Sequence, residues 1–554
     1  MSDLEASQKR KVRTAVSPHG MVSTASAQAT GAGVKMLEKG GNAVDAAVAA
    51  AFCLGVTEFQ SSGLGGQSMI LIHQGGKKKS FSKALDGSSR APFGINPNRL
   101  PDKPLKLGIM ATTVPSTPAV LGYFLDKYGT MPLGEVLKPA INYAEKGLKI
   151  TSLQRKLLAR ECDRISDSQF KAIFTKDGAP LYTGAAVHQE NLAKCLTTMA
   201  ESGWKDFYIG EIGEKIVADM KKRGGLISKA DLQQIPYPVE REVLKSSYRK
   251  LNLITFPPPG AGRTLVQIMN TLENFAPGEL DPDKDLFPVI LAMTYRAALV
   301  KNERLPMDPA LYLQMGDKRM VDKKNARYIA SRIKKMFPYL DSDHYRPPGV
   351  SGETTHVSVA DSRDCFVGIT QSIELAFGAK TMAEGLGFFY NNYMSAFHYK
   401  DMMHPSYLIP GGRPWSSVAP TIIFRDDKSP YLLLGSPGSE RISTTLSQVI
   451  TRVIDAGQDL AAAIDAPRLH AGSTGKILIE RRAYAEKTVE ILGKAGFEVS
   501  KKGAYSFYLG CVQAVEAPVS PGQQFYGVAD PRRDGDAMGP RTITEGLKPP
   551  LREG

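Results

Sequence analysis

Thr354 is the residue whose type and setting could do chemistry. It lies in Gly352-Glu353-Thr354-Thr355-His356-Val357-Ser358-Val359-Ala360, after the turn-rich Tyr345-Arg346-Pro347-Pro348-Gly349-Val350-Ser351. His356, Ser358 and Ala360 alternate with Val357 and Val359, the period of a strand. Thr354 therefore stands where a loop becomes a strand. There the loop can bend the preceding peptide bond back onto the Thr354 hydroxyl, and the strand can hold the new chain end after a cut. A threonine freed in this way carries its own general base, because its α-amino group reaches its own Oγ. Taken alone, Thr-Thr is also ordinary β-branched strand filler.

Other elements must position that hydroxyl. A short strand is predicted at Met21–Ala25 and a helix at Gln28–Lys39, stopped by Gly40-Gly41. Asn42 caps a second, alanine-rich helix over Ala43–Leu54, thin enough for another layer to pack closely. Ser61-Ser62-Gly63-Leu64-Gly65-Gly66-Gln67-Ser68 lacks the Gly-Lys-Ser/Thr ending of a phosphate loop and precedes a strand, so its glycines serve close backbone approach. The middle of the chain reads as helical. After Thr354 the texture is β, with strands expected at His356–Ala360, Cys365–Ser372, Thr421–Phe424, Tyr431–Leu434 and Tyr508–Val515. Two sheets face to face with helices outside are the expected arrangement.

The 554 residues, 42% hydrophobic and 23% charged, have the composition of a soluble globular protein. The net charge of +14 favours anionic partners by its field. No basic run is interleaved with aromatics, and Lys77-Lys78-Lys79 after Gly75-Gly76 reads as a hairpin turn, so nucleic acid is not expected as a partner. The five scattered cysteines have no metal-ligand spacing and form no disulfide framework, and neither metal nor cofactor is expected. Met1–Arg13 is polar and no long apolar run occurs, which sets the expectation of a cytoplasmic protein without a membrane span.

Ordered landmarks then run along almost the whole chain. They include Gly40-Gly41-Asn42-Ala43-Val44-Asp45-Ala46-Ala47, Ser61-Ser62-Gly63-Leu64-Gly65-Gly66, Phe207-Tyr208-Ile209-Gly210-Glu211 and Pro257-Pro258-Pro259. Thr354-Thr355-His356, Tyr390-Asn391-Asn392, Arg413-Pro414-Trp415-Ser416-Ser417, Gly435-Ser436-Pro437-Gly438 and Asp530-Pro531-Arg532-Arg533-Asp534-Gly535 follow. On these the chain resembles the γ-glutamyltranspeptidase family of N-terminal nucleophile hydrolases. The resemblance implies an α+β, four-layer αββα sandwich made as one proenzyme. It implies a cut between Glu353 and Thr354, giving a large subunit, 1–353, and a small subunit, 354–554, that stay associated, with further homo-oligomers open. Thr354 would form an acyl-enzyme on a small-molecule amide. Ser372 takes the place of a supporting threonine. Gly438 and Ser439 take the place of a glycine pair whose N–H groups form the oxyanion hole, which requires a backbone a serine can adopt. Ser416 and Ser417 match a substrate-holding serine pair.

The glutamyl-binding positions depart from that pattern. The family arginine falls on Ser88, with Arg90 two places on; its glutamine, aspartate and asparagine fall on Tyr393, Ala396 and Glu374. Arg90, Glu374 and Tyr393 are the candidates to meet the acyl donor instead, and the segment from Ala396 to Ser416 is short for a lid loop. Three readings follow: an enzyme on γ-glutamyl amides such as glutathione, an amidohydrolase for another acyl group resembling oxamate or glutaryl-cephalosporin acylases, or an uncleaved binding protein.

Overall fold

The chain from Asn42 shows how sequence sets the scaffold. Asn42 Oδ1 accepts from the Val44 and Asp45 N–H groups, and Asp45 Oδ2 accepts from Asn42 N–H at 2.8 Å. This reciprocal cap starts a helix whose small alanines lie flat on a sheet. The computed structural model describes residues 11–76, 80–302, 319–335, 352–482, 486–520 and 522–541. The expected Lys77–Lys79 turn and the Tyr345–Ser351 loop lie outside the described residues, as do the first ten residues.

In chain order the principal strands are β1 (Arg13–Ser17), β2 (Gly20–Thr24), β3 (Gln67–Gln74), β4 (Phe81–Gly87), β5 (Val239–Arg241), β6 (Leu244–Tyr248) and β7 (Leu251–Thr255). Beyond these come β8 (Glu353–Asp361), β9 (Cys365–Glu374), β10 (Thr421–Phe424), β11 (Pro430–Gly435), β12 (Gln513–Glu516), β13 (Phe525–Ala529) and β14 (Asp536–Met538). They form two antiparallel seven-stranded sheets, ordered β14-β2-β8-β9-β3-β4-β5 and β1-β13-β12-β11-β10-β7-β6. Helices α1 (Ala27–Glu38) and α2 (Ala43–Thr57) cover the first sheet; α3 (Ser152–Glu161) lies further out, and α4 (Gly262–Leu272), α5 (Phe287–Asn302) and α6 (Arg441–Ile454) cover the second. The result is the four-layer αββα sandwich. Strands from before and after Thr354 are interleaved in both sheets.

The alternation read from the sequence is present. Val357 and Val359 pack with α1 and α2, while Ala360 joins Met21, Met69, Phe366, Ile422 and Leu433 between the sheets. That inter-sheet layer is partly polar: Ser23 Oγ lies 2.8 Å from Gln513 Oε1, and Ser358 Oγ donates to the Gln513 carbonyl at 3.0 Å. The expected strand at Tyr508–Val515 is shorter than predicted. Phe507–Leu509 is a 3₁₀ turn, and pairing begins only at Gln513, because Gly510 (φ +82°) breaks the extended run.

Candidate active site

Thr354 is 6% exposed and faces Ser372 across the β8–β9 pair, with a register shift between Glu353 and Thr354. Two neighbours fix Ser372. Its Oγ donates to the Glu353 carbonyl, the oxygen of the Glu353–Thr354 peptide bond, and accepts from Glu374 N–H at 2.9 Å. The glycines of the 61–68 turn make the approach expected of them. A Cβ on Gly66 would sit 2.3 Å from the Ser372 carbonyl oxygen, and one on Gly65 would sit 2.1 Å from that of Phe389.

Tyr393 is brought to the same point. Its buried hydroxyl interacts with Ser372 and Gln67, and burial, with the Glu374 carboxylate nearby, pushes the phenol well above its ordinary range. Gln67 Oε1 accepts from Ser89 N–H at 2.9 Å, and Thr113 Oγ1 lies 2.8 Å from both Ser89 Oγ and Asn391 Oδ1. Asn391 in turn holds the Gly65 carbonyl at 2.7 Å. A continuous polar chain thus runs from the second hydroxyl back to the glycine turn. Glu374 has φ +80°, a left-handed conformation that L-residues adopt at a cost. Burial raises its carboxyl to about 7, and no cation pairs with it among the described residues.

The turn before α6 supplies the second half of the site. Gly438 has φ +131° and Ser439 φ +54°. The serine therefore adopts the left-handed backbone usual for glycine, at a cost of about 1–2 kcal/mol. The Gly438 and Ser439 carbonyls accept the N–H groups of Arg441 and Ile442, whereas their own N–H groups donate to no acceptor among the described residues. Two unspent donors at the N-terminus of a fourteen-residue helix suit a developing oxyanion. A Cβ on Gly352 would lie 3.2–3.4 Å from Ser439 Cβ and Oγ and the Glu374 carbonyl oxygen, so the segment before the Glu353–Thr354 bond rests against this turn.

Ser416 is buried, its N–H bonded to the Pro259 carbonyl at 3.0 Å; Ser417 beside it is half-buried. Arg90 follows Ser89, whose N–H bonds Gln67 Oε1. The Arg90 backbone pairs with Val114, and its charge is felt by the Tyr208 hydroxyl, which lies between the Ala119 N–H and the Pro115 carbonyl. At the Ser88 position the neighbour is Asp86, which accepts from Ser88 and from Arg241 at 2.6–3.1 Å. The segment after Ala396 packs down as a small cluster, Phe397, Tyr399 and Leu408 against Ala91, Ile95 and Leu100.

Sequence reasoning missed a charged pocket beside Glu353. Its carboxylate lies 3.5 Å from Arg533 and 3.6 Å from Arg160. Burial raises Glu353 to about 7 against the opposing pull of Arg533, Arg160 and Arg441. Of these only Arg533 lay in a quoted motif; the others are scattered along the chain. His356 is a core residue: its ring nitrogens lie 2.8 Å from Thr370 Oγ1 and 3.0 Å from Ser358 Oγ, and burial lowers it to about 3.

A threonine at a strand start, opposite a second hydroxyl and within an αββα sandwich, defines the class of N-terminal nucleophile hydrolases. The sequence model of Gamma-glutamyltranspeptidase matches residues 29–540. The chain is 35% identical over 538 residues to a glutathione hydrolase proenzyme of Escherichia coli (strain K12), covering 93% of this chain and 90% of the relative. It is 31% identical over 514 residues to an Acylase ACY 1 proenzyme of Pseudomonas sp. (strain V22), covering 88% of each. In fold it is similar to a cephalosporin acylase from Bacillus halodurans, with a TM-score of 0.85, 24% identity and coverage of 99% of this chain and 100% of that one. The chain belongs to the γ-glutamyltranspeptidase family and is an amide-bond hydrolase/acyltransferase of that family.

Proposed function

We propose that the chain cuts itself between Glu353 and Thr354, giving a large subunit, 1–353, and a small subunit, 354–554. The observation that carries this is the Ser372 hydroxyl on the Glu353 carbonyl oxygen, with Thr354 opposite Ser372 at the strand start. In the mature enzyme the Thr354 amine takes the Oγ proton as Oγ attacks the donor carbonyl. The Gly438 and Ser439 N–H groups receive the oxyanion, and the amine leaves with a proton. Water or an acceptor amine then opens the ester. Ser416, Ser417, Tyr393 and Glu374 are assigned to the donor. Its class is γ-glutamyl amides such as glutathione, as for the relatives named glutathione hydrolases, or related acyl amides. The acylase-like alternative is favoured by Ser88, Tyr393 and Ala396 standing at the glutamyl-binding positions.

The test is a denaturing gel. The wild type should resolve into bands of about 38 and 22 kDa, in proportion to the two segments of the 60.1 kDa chain, and Thr354→Ala should remain whole. A wild type that stays intact yet turns over amides would sink the mechanism.

A further inference from the structure

Thr354, Ser372 and Gln67 stand directly opposite one another on three adjacent strands, β8, β9 and β3. Residues paired in this way point to one face of a sheet. Here it is the face that looks toward the second sheet, shared by Met69 and Leu71 further along β3. Tyr393, from the 3₁₀ turn Tyr393–Ala396, closes over this row, and its hydroxyl interacts with both Ser372 and Gln67. All three side chains lie in residues only 2–4% exposed. The tyrosine is built in: its N–H donates to Asn391 Oδ1 at 3.1 Å, and Asn391 Nδ2 donates to the Gly65 and Thr113 carbonyls at 2.7 and 3.0 Å.

The two ends of the row fix which atoms donate. At one end Ser89 N–H donates to Gln67 Oε1 at 2.9 Å, and Ser89 Oγ donates to the same oxygen at 3.1 Å. A backbone N–H can only donate, so it holds the amide oxygen there and leaves the Nε2 hydrogens for Tyr393. At the other end the Glu353 carbonyl can only accept, so Ser372 spends its one hydrogen on it. Ser372 Oγ keeps two lone pairs for acceptance. Glu374 N–H fills one at 2.9 Å, and the Tyr393 O–H fills the other. Every hydrogen in the chain Ser89–Gln67–Tyr393–Ser372 thus points toward the Glu353–Thr354 bond.

We propose that Tyr393, backed by Gln67, is a positioning residue for self-cleavage: it locks the Ser372 hydroxyl hydrogen onto the Glu353 carbonyl oxygen. This rests on the reading of Thr354 as the self-cleaving nucleophile. A hydroxyl turns to suit its partners. With the phenol proton facing Gln67, the phenol oxygen would accept the Ser372 hydrogen and draw it off the carbonyl; the Gln67 amide prevents that reversal. The direction matters at the moment of attack. Thr354 Oγ bonds to the Glu353 carbonyl carbon, and the C=O electron pair moves onto the oxygen that Ser372 meets. The C–N bond then breaks, the Oγ proton passes to the Thr354 nitrogen, and water splits the resulting ester. Tyr393 gives up no proton in this sequence. It keeps a donor aimed in advance at the atom that gains charge, which costs no reorganisation when the charge appears. Hydrogen bonds in series also polarise one another, so the last donor in the chain is the stronger for those behind it.

The experiment is a mutant cycle on freshly purified precursor, with the cleavage rate read on denaturing gels. Tyr393→Phe should slow cleavage about tenfold in the wild-type background. In Ser372→Ala, where no hydroxyl is left to aim, the same change should alter the rate by less than about twofold. Ser372→Thr returns a hydroxyl and should return the sensitivity of about tenfold. Gln67→Leu removes the amide donor and decides the matter if Tyr393→Phe fails to fold. It should slow cleavage at least about threefold where the Ser372 hydroxyl is present and less than about twofold in Ser372→Ala. Cleavage of Tyr393→Phe at the wild-type rate, or equal slowing with and without the Ser372 hydroxyl, would overturn the positioning role while leaving self-cleavage standing. A wild type that stays whole on the gel defeats the underlying reading as well.

Discussion

Replacing Ser372 with alanine should slow self-cleavage far more than it harms the fold. The hydroxyl donates to the Glu353 carbonyl oxygen, the atom that gains negative charge when Thr354 Oγ attacks. In the resting chain such a bond contributes about 1 kcal/mol. On a developing oxyanion, removal of one donor costs about 3–4 kcal/mol, so cleavage should slow by roughly 10²–10³. The alanine also leaves the Glu374 N–H without its acceptor, a stability loss of about 1–3 kcal/mol. The assay follows freshly purified precursor on denaturing gels over hours, beside Ser372→Thr and a thermal melt. Ser372→Thr keeps the hydroxyl and should cleave within about tenfold of wild type. Cleavage of Ser372→Ala at the wild-type rate would refute the role of this hydroxyl. A threonine variant as slow as the alanine would show that packing, and not hydrogen bonding, was lost.

Amide turnover by the cleaved enzyme should climb with pH toward the ordinary α-amine range near ~8, and selective acylation of the Thr354 amine should abolish it. Glu353 and Glu374 are raised by burial from 4.5 to about 7, so the folded chain keeps protons that the unfolded chain releases. Their contribution to stability is therefore present below about 4.5 and lost as pH rises through about 7. The melting temperature of uncleavable Thr354→Ala should fall across that window, and adding Glu374→Gln should flatten the fall; an unchanged slope would count against a buried, unpaired Glu374. Gly66→Ala should push the β9 end through a Cβ 2.3 Å from the Ser372 carbonyl, destabilising by about 1–3 kcal/mol and delaying cleavage in the gel assay.

The scaffold was legible because its signals are local. The Asn42 cap, the alanine run after it and the alternation from His356 each state their element within a few residues, and all three are present. Thr354, Ser372, Gly438 and Ser439 were legible through motif order; the fold pairs Thr354 with Ser372 across two strands and rests Gly352 against Ser439. The acyl side was less so. Arg90 was chosen by its distance in sequence from Ser88, a choice that no local pattern supports; its backbone pairs with Val114. The arginines that meet the Glu353 carboxylate, Arg160 and Arg533, come from α3 and the turn before β14, separated by hundreds of residues. No spacing rule finds such a group. Gln67 escaped notice for a related reason: at the head of a strand it reads as a boundary residue, and only the Ser89 and Tyr393 contacts give it a role.

The interleaved sheets have a consequence for how this enzyme is made. β8 lies between β2, from before Thr354, and β9, from after it, and β11–β10 continue into β7–β6. Translated separately, the two segments would each be left with bare strand edges and half of every core, surfaces prone to sticking to other chains. Two messages could not easily replace one. A single uninterrupted translation product secures equal amounts of both segments and their correct threading, and the proposed cut between Glu353 and Thr354 would have to come after the sheets have closed around it.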